Sequence, residues 1–161
     1  MFKIKKKFIL NFILIFSIFA LLAAYFIQYI LGHIPCNLCL WERIPYILAI
    51  FIITLSHLFK KNEKFYLILL ILIFLFSSLL SFYHFGIENG FFKESLICNL
   101  DSQITNLTTE TLLNELKEKT VSCADVSFKI VGLSLATINT MISLFFSFII
   151  IKIFLDYEKN K

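Results

Sequence analysis

Four long apolar runs divide this chain, and they are the strongest constraint on its fold. They cover residues 8–31, 44–59, 65–85 and 130–151, and the first contains 24 residues without a charged side chain. A helix needs about 20 consecutive apolar residues to cross the hydrocarbon core of a membrane. A hydrophobic fraction of 59% over 161 residues is also too high for a soluble domain of this size. The runs therefore predict an all-α membrane protein with a single domain, residues 1–161, built as a bundle of four transmembrane helices.

The first two runs differ in length, with 24 residues in the first and 16 in the second. The first follows four lysines, as in a signal peptide, but it exceeds the roughly 7–15 apolar residues of such a peptide and lacks a small-residue cleavage motif. We therefore expect it to be a retained span. The second run has only 16 residues, and the interfacial side chains of Trp41 and Arg43 are expected to extend it.

The distribution of charge predicts the orientation of the four helices. Four basic residues before the first run, three between residues 60 and 64 and three after residue 151 make up ten of the fifteen. The loops at residues 32–43 and 86–129 hold the other five, eight of the eleven acidic residues and all four cysteines. Lysine and arginine are enriched in cytoplasmic loops, whereas disulfides persist outside the cytoplasm. We therefore expect both termini in the cytoplasm and all four cysteines outside it. The basic residues flank apolar runs and do not indicate nucleic-acid binding.

A closely spaced cysteine pair, Cys36 and Cys39, lies between the first two runs and is followed by Arg43. The C-x-x-C spacing closes a small disulfide ring, and a nearby cation favours the thiolate, so the pair is suited to redox cycling. The same spacing also supplies half of a zinc site, or two inert buried thiols. The spacing alone leaves these three alternatives open.

The large polar loop carries the other two cysteines, Cys98 and Cys123. Because both pairs are expected on one side of the membrane, disulfide exchange between them would pass electrons from one pair to the other. Between these two cysteines, residues 105–119 have an apolar stripe that predicts a helix lying on the bilayer or covering the bundle.

Polar side chains inside the apolar runs are expected to serve packing between helices. Small hydroxyls let helices approach closely, and amides in a membrane usually form hydrogen bonds across helices. The hydroxyls are Ser77, Ser78 and Ser81, and the amides are Asn11, Gln28 and Asn139.

Three short motifs occur in order along nearly the whole chain. They are Pro35-Cys36-x-Leu38-Cys39-x-x-Glu42-Arg43, Tyr83-His84-x-Gly86-Ile87-Glu88 and Gly132-Leu133-Ser134, with Cys98 and Cys123 between the last two. Together they resemble the disulfide bond formation protein B (DsbB) family. The resemblance implies a four-helix inner-membrane protein that reoxidises a periplasmic DsbA-like dithiol oxidase and passes the electrons to a quinone, either ubiquinone or menaquinone.

The resemblance also implies roles for the residues around the first pair. Cys36 and Cys39 match the pair nearest the quinone, with Cys39 as the thiolate that meets it and Arg43 and His84 beside it. The family usually has glutamine where this chain has Glu42. A carboxylate at that position is expected to neutralise part of the charge of Arg43.

For the loop pair, the resemblance implies that Cys98 forms the mixed disulfide with the periplasmic oxidase and that Cys123 resolves it. Two functions of other classes remain as alternatives. A metal-binding membrane protein would share one zinc ion among the four cysteines, but the loop cysteines lie far apart and do not form a second C-x-x-C. A structural protein would keep static disulfides and have no use for Arg43. We expect no metal site.

Overall fold

Four long helices form most of the part of the chain that the structure describes. The structure is a computed structural model, and it describes residues 2–59, 62–94, 98, 122–124, 129–130 and 132–159. The elements in chain order are α1 (Phe2–Tyr29), α2 (Asn37–Trp41), α3 (Ile44–Leu58), α4 (Glu63–Glu88), β1 (Lys129–Ile130), β2 (Leu133–Ser134) and α5 (Leu135–Lys159). The expected helix at residues 105–119 lies outside the described residues.

The predicted fold class, an all-α bundle of four membrane-spanning helices, is confirmed. Within the described residues, four helical segments are long and apolar enough to cross a membrane, and α2 with α3 makes up one of them, which agrees with the expected extension of the short second run. The predicted start of the last run at residue 130 differs from the structure. There β1 and β2 form a small antiparallel hairpin, and Gly132 supplies the positive φ of 82° that its turn requires. Helix α5 then begins at Leu135, because the Ser134 hydroxyl accepts a hydrogen bond from the Thr137 N–H at 3.2 Å and so acts as an N-cap.

The core lies where all four long helices meet. Phe146 of α5 is its centre, with T-shaped contacts to Phe16 of α1 at 5.1 Å and to Phe74 of α4 at 5.4 Å between ring centroids. Tyr46 of α3 contacts Phe74 from the other side. Each helix therefore contributes an apolar side chain to one continuous cluster.

The distribution of polar and apolar side chains is the inverse of that in a water-soluble bundle. Large apolar side chains point outward, among them Phe19 with 67% and Phe148 with 68% of their surface exposed. Ser77 of α4 and Ser143 of α5 are fully buried and share a hydrogen bond of 2.9 Å. Lipid, not water, is the solvent that suits such an exterior, and small hydroxyls let α4 and α5 pack closely.

Candidate functional site

The C-x-x-C pair lies at the start of the short helix α2. Pro35 leads the chain into the helix, Cys36 is its N-cap, and the two cysteines form a disulfide. The Cys39 backbone N–H donates to Cys36 Sγ at 3.2 Å. Cys36 is buried, whereas Cys39 is half-buried. The backbone thus already offers a hydrogen bond to the sulfur that would become a thiolate at Cys36 after reduction.

The second expected disulfide, Cys98–Cys123, is also present and lies next to the first. Cys36, Cys98 and Cys123 belong to one buried cluster, together with Leu38 of α2 and Ile87 of α4. The two disulfides are therefore neighbours in a common apolar environment, although one comes from a large loop and the other from a helix end. A shared environment of this kind favours exchange between the two disulfides.

The chain that leaves α4 is fixed to that helix by Gly86. The Gly86 carbonyl accepts hydrogen bonds from the N–H groups of Phe91 and Phe92, at 2.8 and 3.2 Å, and the Phe92 ring stacks on Tyr83 with 5.6 Å between centroids. Beyond it, the Glu94 carboxylate accepts from the backbone N–H beside Cys123, that of Ala124, at 3.0 Å. The end of α4 thus holds the loop disulfide in place.

Replacing Gly86 with alanine should loosen this attachment. A Cβ at this position would come within 2.1 Å of the Phe92 ring, so the ring must leave its stack on Tyr83. Overpacking of this kind typically costs about 1–3 kcal/mol. We expect a lower midpoint of thermal unfolding and faster reduction of Cys98–Cys123 by a mild reductant. The clash is absent when Phe92 is also replaced by alanine, so Gly86→Ala should cost little stability in a Phe92→Ala background. An equal loss of thermal stability with and without Phe92 would contradict this account.

A chain of buried polar side chains connects the first disulfide to α5. His84 of α4 places Nε2 3.5 Å from Cys36 Sγ, and its Nδ1 lies 2.7 Å from Glu42 Oε1. The second oxygen of Glu42 accepts from Asn139 Nδ2 at 2.9 Å. His84 and Glu42 are only 3% and 8% exposed. Two ionisable side chains this deeply buried are costly unless they are paired, so the pair is a candidate for a functional role.

Asn139 fixes the other end of that chain. Its amide nitrogen donates to Ser81 Oγ at 2.6 Å, in addition to Glu42, and its oxygen accepts from the Tyr46 hydroxyl. Ser143 donates to the same oxygen at 3.4 Å. Since Asn139 contacts α3, α4 and its own helix α5, the expectation of an interhelical hydrogen bond is confirmed for this amide. Asn11, in contrast, lies on an exposed face of α1.

A cavity of about 240 Å³ opens beside the first disulfide. One wall is apolar and comes from α1 and α5, where Ala20, Ala24 and Ala136 leave room that larger side chains would fill. The opposite end is polar. It is lined by Cys36, Cys39, Glu42, Arg43, His84 and Glu88. Neither loop cysteine is among the described residues that line the cavity.

Arg43 reaches the cavity from the start of α3 and contacts α1. Its Nη1 donates to Gln28 Oε1 at 2.7 Å, and its guanidinium lies over the Tyr25 ring, 5.0 Å from the centroid. Gln28 therefore forms the interhelical hydrogen bond expected of it. The Glu42 carboxylate binds His84 and Asn139, and among the described residues it forms no ion pair with Arg43. Both side chains line the cavity.

The structure thus brings together the four residues that the sequence predicted around the first disulfide, namely Cys36, Cys39, Arg43 and His84. Sequence reasoning missed the contact between Glu42 and His84, because the two residues lie 42 positions apart. It also missed the inward position of Glu88. Glu42 belongs to the first of the three motifs and Glu88 to the second, and this membership was the signal in the sequence that could have identified them as site residues.

Residues 6–153 match the family model of Disulfide bond formation protein DsbB. The chain is also similar to the uncharacterized protein RP370 of Rickettsia prowazekii (strain Madrid E), with 32% identity over 139 residues, which cover 84% of this chain and 81% of that protein. The family match spans both disulfides and every residue of the cavity.

Proposed function

The chain belongs to the DsbB family of membrane proteins that act in disulfide bond formation, and from that premise we propose that it is a thiol:quinone oxidoreductase. It reoxidises a periplasmic DsbA-like dithiol oxidase and passes the electrons to a membrane quinone. Its place is the bacterial inner membrane, with both termini in the cytoplasm and both cysteine loops in the periplasm. The asymmetry of basic residues supports this orientation, and thiol labelling from each side of the membrane tests it.

The observation that carries the proposal is the position of the first disulfide. Cys36–Cys39 and Cys98–Cys123 contribute to one buried cluster, and the first pair also lines the cavity between α1 and α5. A pair with one neighbour that exchanges thiols and another side open to a small molecule is suited to pass electrons between the two. Static cross-links would not need this second contact.

The order of electron flow follows from this position. A thiolate of the partner attacks Cys98 Sγ and breaks the Cys98–Cys123 bond, and the second partner thiol then resolves the mixed disulfide. The partner leaves oxidised and the loop pair leaves reduced. The loop pair next transfers its two electrons to Cys36–Cys39 by the same exchange, which restores the loop disulfide. Two electrons and two protons finally leave the reduced C-x-x-C pair when it is oxidised by the quinone.

His84 and Glu42 are placed to handle one of these protons. Nε2 of His84 lies 3.5 Å from Cys36 Sγ and can take the thiol proton, while Glu42 holds Nδ1 in the other direction. A carboxylate behind a histidine fixes the orientation of the ring and stabilises the imidazolium that forms. Cys36 is thereby supplied as a thiolate without exposure to water.

The cavity fits the head of a quinone. Its volume is about 240 Å³, whereas sites for drug-sized ligands usually have ~300–1,000 Å³. The cavity would therefore hold the ring of a quinone, and the apolar tail of the quinone would extend into the lipid. Cys39 is at the polar end. Arg43 has five N–H donors, and the bond to Gln28 leaves donors for a carbonyl oxygen. A quinone bound there would accept the two electrons and two protons of the dithiol.

Arg43→Ala should raise the apparent Michaelis constant for quinone and slow the reoxidation of Cys36 and Cys39. A hydrogen bond to a charged group contributes about 1.5–3 kcal/mol, so we expect a loss of roughly ten- to a hundredfold. Arg43→Lys should lose less, because the charge remains and only the planar fork is lost. Exchange between Cys98 and the partner should be nearly unchanged, since Arg43 lines the cavity and neither loop cysteine is among the lining residues described. If Arg43→Ala turned over quinone at the same rate as the parent, the role of Arg43 would be limited to its contacts with Tyr25 and Gln28.

The function as a whole is tested with the purified full chain in detergent, a reduced DsbA-like protein and a soluble quinone analogue. We expect quinone reduction, followed by its absorbance, together with stoichiometric oxidation of the partner thiols. The two alternatives predict other results. Static disulfides would give no turnover and no change in Cys36–Cys39 on incubation with the dithiol, and a metal centre shared by four cysteines would give bound zinc in the protein as isolated.

A further inference from the structure

The first cysteine pair and His84 have the geometry of a metal site once the disulfide is reduced. Cys36 Sγ, Cys39 Sγ and one His84 nitrogen all lie within 4.8 Å of one another. We infer that the reduced pair, together with His84 and Glu88, binds a borderline-soft divalent cation such as Zn²⁺ and is thereby withheld from oxidation. The disulfide form does not bind it, because disulfide sulfurs are not thiolates. This site is distinct from the zinc ion shared by four cysteines that was considered above, since it uses neither loop cysteine.

His84 is already oriented as a metal ligand. Glu42 Oε1 lies 2.7 Å from Nδ1, so the carboxylate holds the proton on that nitrogen. The lone pair of Nε2 is then directed toward Cys36 Sγ, 3.5 Å away, and two ligands of one zinc ion have a similar separation. A metal-bound histidine almost always donates its second N–H to a carboxylate or carbonyl in this way.

Glu88 supplies an independent observation that points to a cation. Its side chain is only 8% exposed, and its Oε1 lies 3.9 Å from His84 Nε2, too far for a hydrogen bond. Its other oxygen, Oε2, is buried without a hydrogen-bond partner among the described residues. Glu88 also lines the cavity with both cysteines. A buried carboxylate oxygen without a donor favours a cation beside it, and Glu88 would be the fourth ligand of a tetrahedral site.

The donor set and the redox step define the ligand chemistry. Two thiolates, one imidazole and one carboxylate are ligands typical of Zn²⁺. Reduction of Cys36–Cys39 consumes two electrons and two protons, supplied by a chemical reductant or by the dithiol partner. Binding of the cation then releases the two thiol protons to solvent, with no change in oxidation state. The metal-bound sulfurs and His84 nitrogen are no longer free to exchange or accept a proton, so the cation arrests the enzyme in its reduced form.

Metal binding is tested without any quinone or partner, using the full chain in detergent with Cys98→Ser and Cys123→Ser so that the loop supplies no thiolates. The probe is Cd²⁺, whose thiolate charge-transfer band reports binding. After reduction by a phosphine, we expect saturation at one cation per chain, and before reduction no band. Zn²⁺ should displace the Cd²⁺ and remove the band.

Variants of the two other ligands separate this site from a bare C-x-x-C pair. His84→Asn and Glu88→Gln should each weaken binding by at least about tenfold to a hundredfold, since that is the range measured for outer-shell partners of metal ligands and these two residues are direct ligands. Glu94→Gln is the matched control, because this acidic side chain faces Ser122 and Ala124. Equal affinity in all three variants, or equal binding to the oxidised protein, would overturn the proposal.

The arrest of turnover rests on the proposed function and is measured separately. In the parent chain, micromolar-range Zn²⁺ added to the reduced protein should slow reoxidation of Cys36 and Cys39, and a chelator should restore it. If reoxidation proceeds at the same rate with the site filled, the regulatory part is wrong. If quinone does not oxidise the protein at all, the proposed function fails, whereas the Cd²⁺ titration still decides whether the site exists.

Discussion

Replacing Cys39 with serine should abolish quinone reduction while the loop disulfide still reacts with the dithiol partner. Cys36–Cys39 is the pair that lines the cavity, and a single thiol cannot form the intramolecular disulfide that a two-electron acceptor regenerates. Cys98–Cys123 remains a complete disulfide in this variant. We therefore expect one oxidation of the partner per chain and no further turnover, measured by the quinone absorbance and by the free thiols of the partner.

The complementary variant is Cys123→Ala. It leaves Cys98 as a single thiol that can attack the disulfide of the oxidised partner, and it removes the neighbouring thiol that would release the partner from the resulting mixed disulfide. We expect a covalent complex on a non-reducing gel that a reductant dissolves.

Multiple turnovers by Cys39→Ser would show that electrons reach the quinone without the C-x-x-C pair, and the relay between the two disulfides would then be wrong.

The helical architecture could be predicted from the sequence because the bilayer imposes a strong length rule on apolar runs. What the rule does not fix is where a helix ends. The last helix was expected from residue 130 because Ile130, Val131 and Leu133 are apolar, yet the described residues before Leu135 form a hairpin at Gly132. An apolar residue is equally compatible with a strand, and the Ser134 cap decides the start of the helix only once the chain is folded.

The cysteine pairs could be read from their spacing and from the resemblance, but the partner of Glu42 could not. Its neighbour in sequence is Arg43, and an acid beside a base suggests an ion pair. Adjacent residues of a helical segment point in different directions, however, so these two side chains reach different helices. Glu42 contacts His84 of α4, and Arg43 contacts Gln28 of α1. Such contacts depend on how the helices pack.

The cavity could not be predicted from the sequence either, for a related reason. Ala20 and Ala24 of α1 and Ala136 of α5 are ordinary small residues of a membrane helix, where they usually allow close packing. Here they line open space beside Cys39. Whether small residues bring two helices together or leave a gap between them depends on the angle and separation of the helices, which no local pattern specifies.

Glu42→Ala should destabilise the bundle and slow exchange at Cys36 at the same time. The substitution removes the acceptor of both His84 Nδ1–H and the Asn139 amide, and each buried donor left without a partner costs about 1–3 kcal/mol. It also frees the His84 ring to turn away from Cys36. Loss of an oriented general base typically costs about 10²–10⁴-fold in rate. We expect a lower midpoint of thermal unfolding and a slower reoxidation of the reduced Cys36 and Cys39 by the quinone analogue, because that is the step in which the Cys36 thiol loses its proton.

Glu42→Gln separates the two effects, because its volume is unchanged. A glutamine offers one oxygen where the site needs two acceptors. Asn139 cannot reverse its amide to compensate, since its oxygen already accepts from Tyr46 and Ser143. The stability of this variant should therefore lie between those of the parent and Glu42→Ala. The rate of the reaction at Cys36 should also be reduced, because a glutamine nitrogen facing His84 does not accept the Nδ1–H hydrogen bond. Thr54→Ala is the control on α3, as this exposed hydroxyl bonds the Ile50 carbonyl of its own helix and should change neither quantity. If Glu42→Ala matched Thr54→Ala in both measurements, Glu42 would support neither the fold nor the orientation of His84.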